Sequence, residues 1–595
     1  MEWGSVLVDS VWWTLKAYVI TTVVFVVVVA LLARTTHWGR QWWRIAWPYF
    51  DPRRGLGPLG LVALVLLFTV FAVRVNVLFS YWYNDFYTAI QDLDEAAFWR
   101  FMRVFAVLAT IHVARSLVAY LLGQTLDIHW RTQLNNRLVD TWLDTGAFYR
   151  DRFVDKPVDN PDQRIQVDVT DFVTTTRVLS MGAVTAVLSI VSFTGILWDL
   201  SGPITVFGTE IPRGMVFLVY IYVLVTTAVA FWIGRPLIRL NFLNEKLGAT
   251  YRYALVRVRE YGENIAFYRG ENVERGGLLG RFAAVIRNWW RIVFRILKFD
   301  GFNLTVNQIA VIFPFLIQGP RLFAGQVTLG DVMQTGNAFG QVHESLSFFR
   351  ESYDDFAAFR ATTIRLNGLV DATDQSAKLP VLVATEQGDT LDLRGLDVRT
   401  PAGRPLVTGL DIHVSPGEAL LVRGASGSGK TTLLRSLAGL WPYAHGRIAR
   451  PDGDALFLSQ DPYVPLGTLR EALSYPRPPV RDDAELGEVL ERVHLGHLRE
   501  RLDDDTDWAR VLSPGEQQRL GFARVLLARP RTVFLDEATA AVDEGLEHAL
   551  YRTVREALPD SVLVSVGHRS TLDSFHDRVL ELQGEGRWTV TESVR

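Results

Sequence analysis

Residues Gly424, Ala425, Ser426, Gly427, Ser428, Gly429, Lys430, Thr431 and Thr432 fit G-x-x-x-x-G-K-[ST], a loop that binds phosphates. Glycines let the backbone close on a phosphate chain, and N–H groups at the start of the following helix face the anion. Lys430 supplies charge to the β- and γ-phosphates, and the Thr431 hydroxyl is a ligand for Mg²⁺. Downstream, Thr532 to Leu535 reads as a short apolar strand ending in Asp536 and Glu537. Asp536 is placed to hold the metal ion, and Glu537 to polarise an attacking water. The chemistry implied is Mg²⁺-dependent hydrolysis of a nucleoside triphosphate.

Between these elements lies Leu512-Ser-Pro-Gly-Glu-Gln-Gln-Arg519. Phosphate loop, this stretch and acidic strand end, in that order, resemble the layout of an ABC transporter ATPase. The resemblance implies ATP and Mg²⁺ as cofactors. It makes Gln460, after Ala455-Leu-Phe-Leu-Ser459, the loop glutamine that reaches Mg²⁺ and the water, beside Thr431 and Asp536. It makes His568 the switch histidine sensing the γ-phosphate, so that Glu537, His568 and Gln460 form the catalytic set. Either Gln460 or His568 alone reads as an ordinary loop residue; register with the other motifs supports the functional role. Asp543 matches the loop that crosses to a partner subunit. Ser513, Gly515 and Glu516 belong to the signature, which in this family caps the γ-phosphate held by the opposite domain. One membrane half and one ATPase half, without internal repeat, resemble a half-transporter. A homodimer with two identical ATP sites follows, in the commonest symmetry. Two departures stand out. Pro514 and Glu516 replace the usual second and fourth signature residues, and residues 396–401 hold no aromatic to stack on adenine.

The 595 residues suffice for a few domains. Net charge is −3, with 61 basic and 64 acidic residues, a balance that gives no hint of nucleic-acid binding. No cysteine is present, which excludes disulfides, thiol catalysis and Cys-based metal sites. Hydrophobic residues reach 49%, high for a soluble enzyme, and they are unevenly placed. Residues 1–372 alternate long apolar runs with Arg-rich connectors and read as a membrane domain. Residues 373–389, within a polar stretch that begins at Asp371, read as a linker without periodicity. Residues 390–595 read as a soluble α/β nucleotide-binding domain. The expected fold class is thus a polytopic α-helical membrane domain fused to an α/β P-loop ATPase.

A spanning helix needs roughly 20 mostly apolar residues. Candidates are 12–33, 58–80, 101–123, 178–200, 214–234 and 302–324. A seventh, 330–357, is polar but periodic: Asn337, Gln341, Glu344, Glu351 and Asp355 share one face, and Phe339, Leu346, Phe349, Tyr353 and Phe356 the other. It reads as a soluble amphipathic helix or as a membrane helix whose polar face lines a wet cavity. Connectors 34–57, 124–177 and 235–300 are Arg-rich and the alternate ones are not, which puts the Arg-rich connectors and the ATPase in the cytosol. Seven crossings then place the N-terminus outside. The first segment lacks the basic flank of a signal peptide; it spans or lies in the membrane plane. Arg74, His112 and Arg115 sit within apolar runs and should face the bundle interior, for pairing or substrate contact.

Three further stretches narrow the resemblance: Asp159-Asn-Pro-Asp-Gln-Arg-Ile165, Asn264-Ile-Ala-Phe-Tyr-Arg-Gly270 and Pro462-Tyr-Val-Pro-Leu-Gly-Thr-Leu-Arg470. They are similar to the SbmA/BacA-like branch, related to peroxisomal fatty-acyl transporters. Arg321-Leu-Phe-Ala-Gly-Gln326 and Ser345-Leu-Ser-Phe-Phe-Arg350 are similar to its actinobacterial BacA-type members. The resemblance implies an exporter-type fold of six core helices plus an extra N-terminal helix, in a bacterial cytoplasmic membrane. It implies import of hydrophilic solutes: cobalamin, antimicrobial peptides and bleomycin-like compounds. Asn160, Asp162, Gln163, Arg164, Glu263, Phe267, Tyr268, Gly270 and Glu271 lie in cytoplasmic connectors, where they would couple the ATPase to the cavity. Asn337, Gln341, Glu344, Glu351 and Asp355 would line that cavity, or the carboxylates would pair with Arg350 and other arginines. The rival readings are an exporter or acyl-CoA/lipid transporter of the same fold, and an ABC ATPase that regulates a channel or receptor.

Overall fold

In a bilayer every backbone polar group must be satisfied within the chain, so the apolar runs can span only as helices. The computed structural model describes residues 3–593 except 203, 207–208, 212, 382–384, 387–389 and 452–454. The chain divides into two compact units, residues 1–145 with 158–373, and residues 146–157 with 374–595.

The first unit is helical: α1 (Trp3–Thr35), α2 (His37–Phe50), α3 (Gly57–Gln91), α4 (Glu95–Asp144), α5 (Val169–Leu200), α6 (Gly214–Glu260), α7 (Glu271–Phe323), α8 (Leu329–Glu351) and α9 (Tyr353–Lys378). Local chemistry sets the starts. Asp94 accepts from Ala97 N–H at 2.9 Å and caps α4, and Thr328 with Asp331 forms a capping box on α8. Among the described residues, six helices are long and apolar enough to cross a membrane: α1, α3, α4, α5 with its lead-in from Pro161, α6 and α7. At 1.5 Å per residue, the 53 residues of α7 extend about 80 Å, well beyond a hydrocarbon core of about 30 Å. Much of the Arg-rich connectors is therefore helix that continues past the span.

The segment expected at 330–357 needs correction. It breaks at Ser352, so Tyr353, Asp355 and Phe356 belong to α9. Its polar residues keep α8 below the hydropathy of a spanning helix. It is nonetheless packed in the bundle, with Ala338, Phe339 and Val342 buried beside Val77 of α3, Phe193 of α5, Val219 of α6 and Ala310 of α7. The linker expected at 373–389 begins as helix, and its residues 382–384 and 387–389 lie outside the described residues. Asp371 to Lys378 is the end of α9, and Leu366, Leu369 and Thr373 recur at helical spacing as its buried face.

Ionisable residues in the spans meet neighbours between or along helices, although His112 Nδ1 and Arg115 Nε are buried without hydrogen-bond partners. Arg74 Nε donates to Ser10 Oγ at 3.0 Å and its guanidinium lies 5.2 Å from the Trp13 ring. Arg115 donates to Ser116 Oγ at 2.7 Å, and His112 packs edge-on to Phe79. Ion pairs fix the helix extensions: Arg177 to Asp127 at 2.8 Å, Arg365 to both oxygens of Asp168 at 2.7 Å, and Arg44 to Asp371 at 2.5 Å.

Among the described residues, the second unit holds a two-stranded pair, Gly467–Thr468 with Asp505–Thr506, and two larger sheets built from β1 (Thr385–Glu386), β2 (Leu391–Arg399), β3 (Pro405–Val414), β4 (Ala419–Gly424), β5 (Ala444–Arg450), β6 (Ala455–Leu458), β7 (Thr532–Asp536), β8 (Val562–Val566), β9 (Arg578–Gly584) and β10 (Arg587–Glu592). The four-stranded sheet runs β1-β5-β2-β3, and the six-stranded sheet runs β10-β9-β4-β8-β7-β6. In the latter, β9, β4, β8, β7 and β6 are parallel. Strand β8 is buried throughout, as a parallel strand covered on both faces must be. The helices that matter for the site are α10 (Lys430–Leu437), α11 (Pro514–Ala528) and α12 (Glu544–Ala557).

Candidate functional site

Parallel register brings the chemistry to one edge. Leu535 of β7 pairs with Ser565 of β8 and Leu458 of β6, and Ser565 pairs with Leu421 of β4. The carboxyl ends of four strands therefore line up, and each continues into a loop carrying one motif. Ligands of open α/β sheets bind at such an edge. Here it gathers the phosphate loop after β4, Gln460 after β6, Asp536 and Glu537 at the end of β7, and His568 after β8.

The loop between β4 and α10 needs its glycines. Gly424, Gly427 and Gly429 have φ of 146°, 80° and 106°, angles that L side chains rarely adopt. A Cβ on Gly424 would lie 2.5 Å from the Leu582 carbonyl oxygen. Lys430 Nζ donates to the Gly424 and Ala425 carbonyls at 3.0 and 3.2 Å. Ser428 Oγ is buried and has no hydrogen-bond partner, as expected of a loop shaped for an external group. Thr431 Oγ1 donates to Asp536 Oδ1 at 3.3 Å. Burial pushes the Asp536 carboxyl up and nearby Glu537 adds to this, while the Thr431 hydrogen bond opposes it. A cation at this pair relieves that cost. The donor set thus fits Mg²⁺ and a triphosphate: loop and Lys430 for the phosphates, Thr431, Asp536 and Gln460 for the ion. The ion would supply charge neutralisation on the transferring phosphoryl group.

Glu537 takes a left-handed turn at φ 49° and anchors its N–H on the Val566 carbonyl at 3.1 Å. That turn sets its carboxylate 3.5 Å from His568 Nε2. Gln460 is exposed, with its side chain available to a ligand. Its carbonyl accepts from Gln518 Nε2 at 3.0 Å, and Gln518 Oε1 accepts from Ala541 N–H at 2.8 Å. Buried Gln518 of α11 therefore ties the glutamine loop to the loop that leads into Asp543. Asp543 caps α12, accepting from Leu546 N–H at 2.9 Å.

The signature departures have a local physical reason. Ser513 caps α11 while Glu516 Oε2 accepts from the Ser513 N–H at 2.9 Å and its hydroxyl at 2.8 Å. Pro514 occupies the first helical position, where its missing N–H costs nothing. Ser-Pro-Gly-Glu is thus a capping box with a proline start. Burial alone would raise the Glu516 carboxyl, but the Ser513 hydrogen bonds, Arg519 and His497 bring it below its ordinary value. It stays anionic at the helix N-terminus, where negative charge is favoured.

Residues 45–323 match the family described as ABC transporter transmembrane region 2, and residues 407–540 match the family described as ABC transporter. An uncharacterized ABC transporter ATP-binding protein of Haemophilus influenzae is 47% identical over 99% of this chain and 100% of its own length. This chain belongs to the ABC transporter family. The transporter is also 28% identical to the human lysosomal cobalamin transporter ABCD4, over 92% of this chain and 94% of that one. It shares its fold with a bacterial Atm1-family ABC exporter solved with ATP bound, at a TM-score of 0.68 and 18% identity, covering 91% of this chain and 96% of that one. The transporter is thus a multi-pass membrane protein that couples hydrolysis of ATP, taken with Mg²⁺, to transport.

Among the expected cavity residues, the transporter's first unit brings Asn337, Glu344 and Glu351 to one cavity of about 470 Å³ between α7 and α8. Gln341 does not line it, and Asp355 lies beyond the helix break, exposed on α9. Glu351 pairs with Arg350 at 3.1 Å. Asn307, His343 and Ser347 line it as well, and the helical spacing of His343 and Ser347 with Gly336 and Gly340 was their sequence signal. His343 Nε2 stands 3.3 Å from Asn307 Oδ1. Asn337 Oδ1, His343 Nδ1 and Ser347 Oγ are buried without hydrogen-bond partners.

The expected coupling stretches are both in the first unit. Asn160 is left-handed and opens a turn holding exposed Asp162 and Gln163. Arg164 bonds Asp159 and donates to the Arg365 carbonyl at 2.8 Å. Glu263, Phe267 and Tyr268 lie on the short helix Gly262–Tyr268, with Phe267 77% and Tyr268 87% exposed, and Gly270 precedes Glu271 at the start of α7. Sequence reasoning missed a different stretch. Residues 146–157 of the same connector are part of the ATPase unit. There Phe153 packs edge-on to Trp441 at 5.2 Å, just past α10, and Arg150 donates to the Leu379 carbonyl at 2.5 Å. The aromatic–arginine run Phe148-Tyr-Arg-Asp-Arg-Phe153 was the available signal.

Proposed function

We propose that this transporter imports large hydrophilic solutes such as cobalamin, antimicrobial peptides and bleomycin-like compounds across a bacterial cytoplasmic membrane, as a member of the SbmA/BacA-like branch. The observation that carries the reading is the polar lining of the α7–α8 cavity, which at about 470 Å³ would hold one part of such a cargo. Three buried polar atoms without partners, on Asn337, His343 and Ser347, line it beside Glu344. Unpaired buried polar groups are costly unless something completes their hydrogen bonds. Cargo rich in amides and hydroxyls would do so, and a purely apolar cargo would not. The name of the human relative, a cobalamin transporter, supports the same class.

The working unit is a homodimer in the bilayer. Ser513, Gly515 and Glu516 of one chain complete the site formed by Lys430, Thr431, Gln460, Asp536, Glu537 and His568 of the other. The Arg-rich connectors support a cytosolic ATPase. Phe267 and Tyr268, flanked by Glu263 and Glu271, offer an exposed aromatic tip that would receive the motion, together with the 159–165 turn. The test is cobalamin-stimulated ATP hydrolysis in proteoliposomes. Asn337→Leu with Ser347→Val is expected to cut the stimulation at least tenfold while leaving basal hydrolysis unchanged. Full stimulation in that double variant would remove the cavity from cargo recognition.

A further inference from the structure

A second cavity, of about 580 Å³, lies among α1, α2, α5 and α9. That is the size of pockets that hold small ligands, about 300–1,000 Å³. Beside it, α1 is held near its start and runs into α2 at its end, and of the stretch between Ser10 and Thr36 only Thr21 is buried. At one end Trp3 Nε1 donates to Asp85 Oδ2 at 2.9 Å and Ser10 meets Arg74. At the other, Thr36 leads into α2 and accepts from Gly39 N–H at 3.0 Å. In between, Ile20 is 64% and Val24 53% exposed. The facing walls are Val24 and Val28 of α1, Ala183 and Val187 of α5, Trp42 of α2 and Phe359 of α9.

No charged residue lines this cavity. Two of its polar groups are already engaged: Thr176 Oγ1 accepts from Trp42 Nε1 at 3.2 Å and donates to the Phe172 carbonyl, and Ser180 donates to the Thr176 carbonyl at 2.6 Å. The walls therefore suit a hydrocarbon chain. An unfilled void forfeits dispersion contacts on every side, and helices α1 and α5 stand at the depth where acyl chains are the solvent. One end is marked by charge. Exposed Arg34 and Arg40 flank the lining residues Leu32 and Gly39 in sequence. On α2, Trp42 lies tilted against Trp43 at 5.9 Å and Trp43 stacks on Trp47 at 4.9 Å, a cluster of the kind that sits at headgroup level. The Arg-rich connector places this end at the cytoplasmic leaflet, where anionic lipids attract basic residues.

We propose that the cavity binds one acyl chain of an anionic phospholipid, whose phosphate rests at Arg34 and Arg40. The lipid then seats α1 on the helices it does not otherwise reach. This site is separate from the α7–α8 cavity and stands whatever the cargo is.

The test is native mass spectrometry of the full transporter released from membranes of equal phosphatidylglycerol and phosphatidylcholine. One phosphatidylglycerol retained per chain is expected. Ala183→Trp fills the cavity and should reduce retention at least tenfold; Val28→Phe serves if that variant does not fold, with basal ATP hydrolysis as the check on folding. Arg34→Gln with Arg40→Gln should bring the two lipids to equal retention. Unchanged retention in the filled variants, or no retained lipid in the parent, would overturn the proposal. Since the chain has no cysteine, Val24→Cys reports on a second occupant. Its crosslinking between two copies would give the groove to a partner helix and likewise overturn the lipid site.

Discussion

His568 Nε2 lies 3.5 Å from Glu537 Oε1, across the ends of the adjacent parallel strands β8 and β7. The pair has the arrangement of a base and the group that orients it. A positioned base contributes about 10²–10⁴-fold to a hydrolytic step. Glu537→Gln is expected to lose at least that hundredfold in ATP turnover while nucleotide binding, read by a fluorescent ATP analogue, persists. Wild-type turnover in the variant would remove Glu537 from the chemistry.

Gln518 bonds the Gln460 carbonyl with its amide nitrogen and the Ala541 N–H with its amide oxygen. Gln518→Ala strands both backbone groups, at a cost of about 1–3 kcal/mol each when buried. If the loops carry the proposed water-positioning Gln460 and the proposed inter-subunit residue Asp543, kcat should fall about tenfold with little change in the KM for ATP. An equal loss in the overall thermal stability with kcat intact would make Gln518 merely structural.

The proposed completion of each site by the partner chain makes a distinctive prediction for mixtures. Chains carrying Lys430→Ala are inactive together, and so are chains carrying Ser513→Ala. A mixed dimer restores one site with both groups intact, so co-expression should recover a clear fraction of ATP hydrolysis. If each site were complete within one chain, the mixture would stay inactive.

His576 is buried in the ATPase unit, 2.8 Å from Ser565 Oγ and 2.7 Å from the Leu572 carbonyl. Burial pushes its imidazole down to about 4, against the Leu572 bond that favours the charged form. Between about 4 and the ordinary value of about 6.5, the unfolded chain binds the proton and the folded one does not. Stability therefore rises with pH across that window, and acidification through it removes up to about 3 kcal/mol. Melting of the detergent-purified transporter between pH 7 and pH 4.5 should show this slope, and His576→Leu should flatten it.

The ATP site was legible because its chemistry is local. Lys430, Thr431, Asp536 and Glu537 sit in short runs whose spacing encodes strand, turn and helix N-terminus. Gln518 was not legible in this way. Its role comes from longer-range approach: it joins the carbonyl of Gln460, 58 residues before it, to the N–H of Ala541, 23 residues after it. The membrane spans followed from hydropathy. The seventh did not, because polar periodicity carries through Ser352 while the backbone does not. The linker was misread at Asp371 to Lys378 because small polar residues, Thr373 among them, occupy a buried helix face that apolar patterning cannot reveal.

Uptake of labelled cobalamin by cells lacking their own importer, with the wild type and Glu537→Gln at equal membrane abundance, tests ATP-driven import most directly. Uptake with the wild type alone is the predicted result. No uptake with either, despite measurable ATP hydrolysis by the wild type, would contradict it.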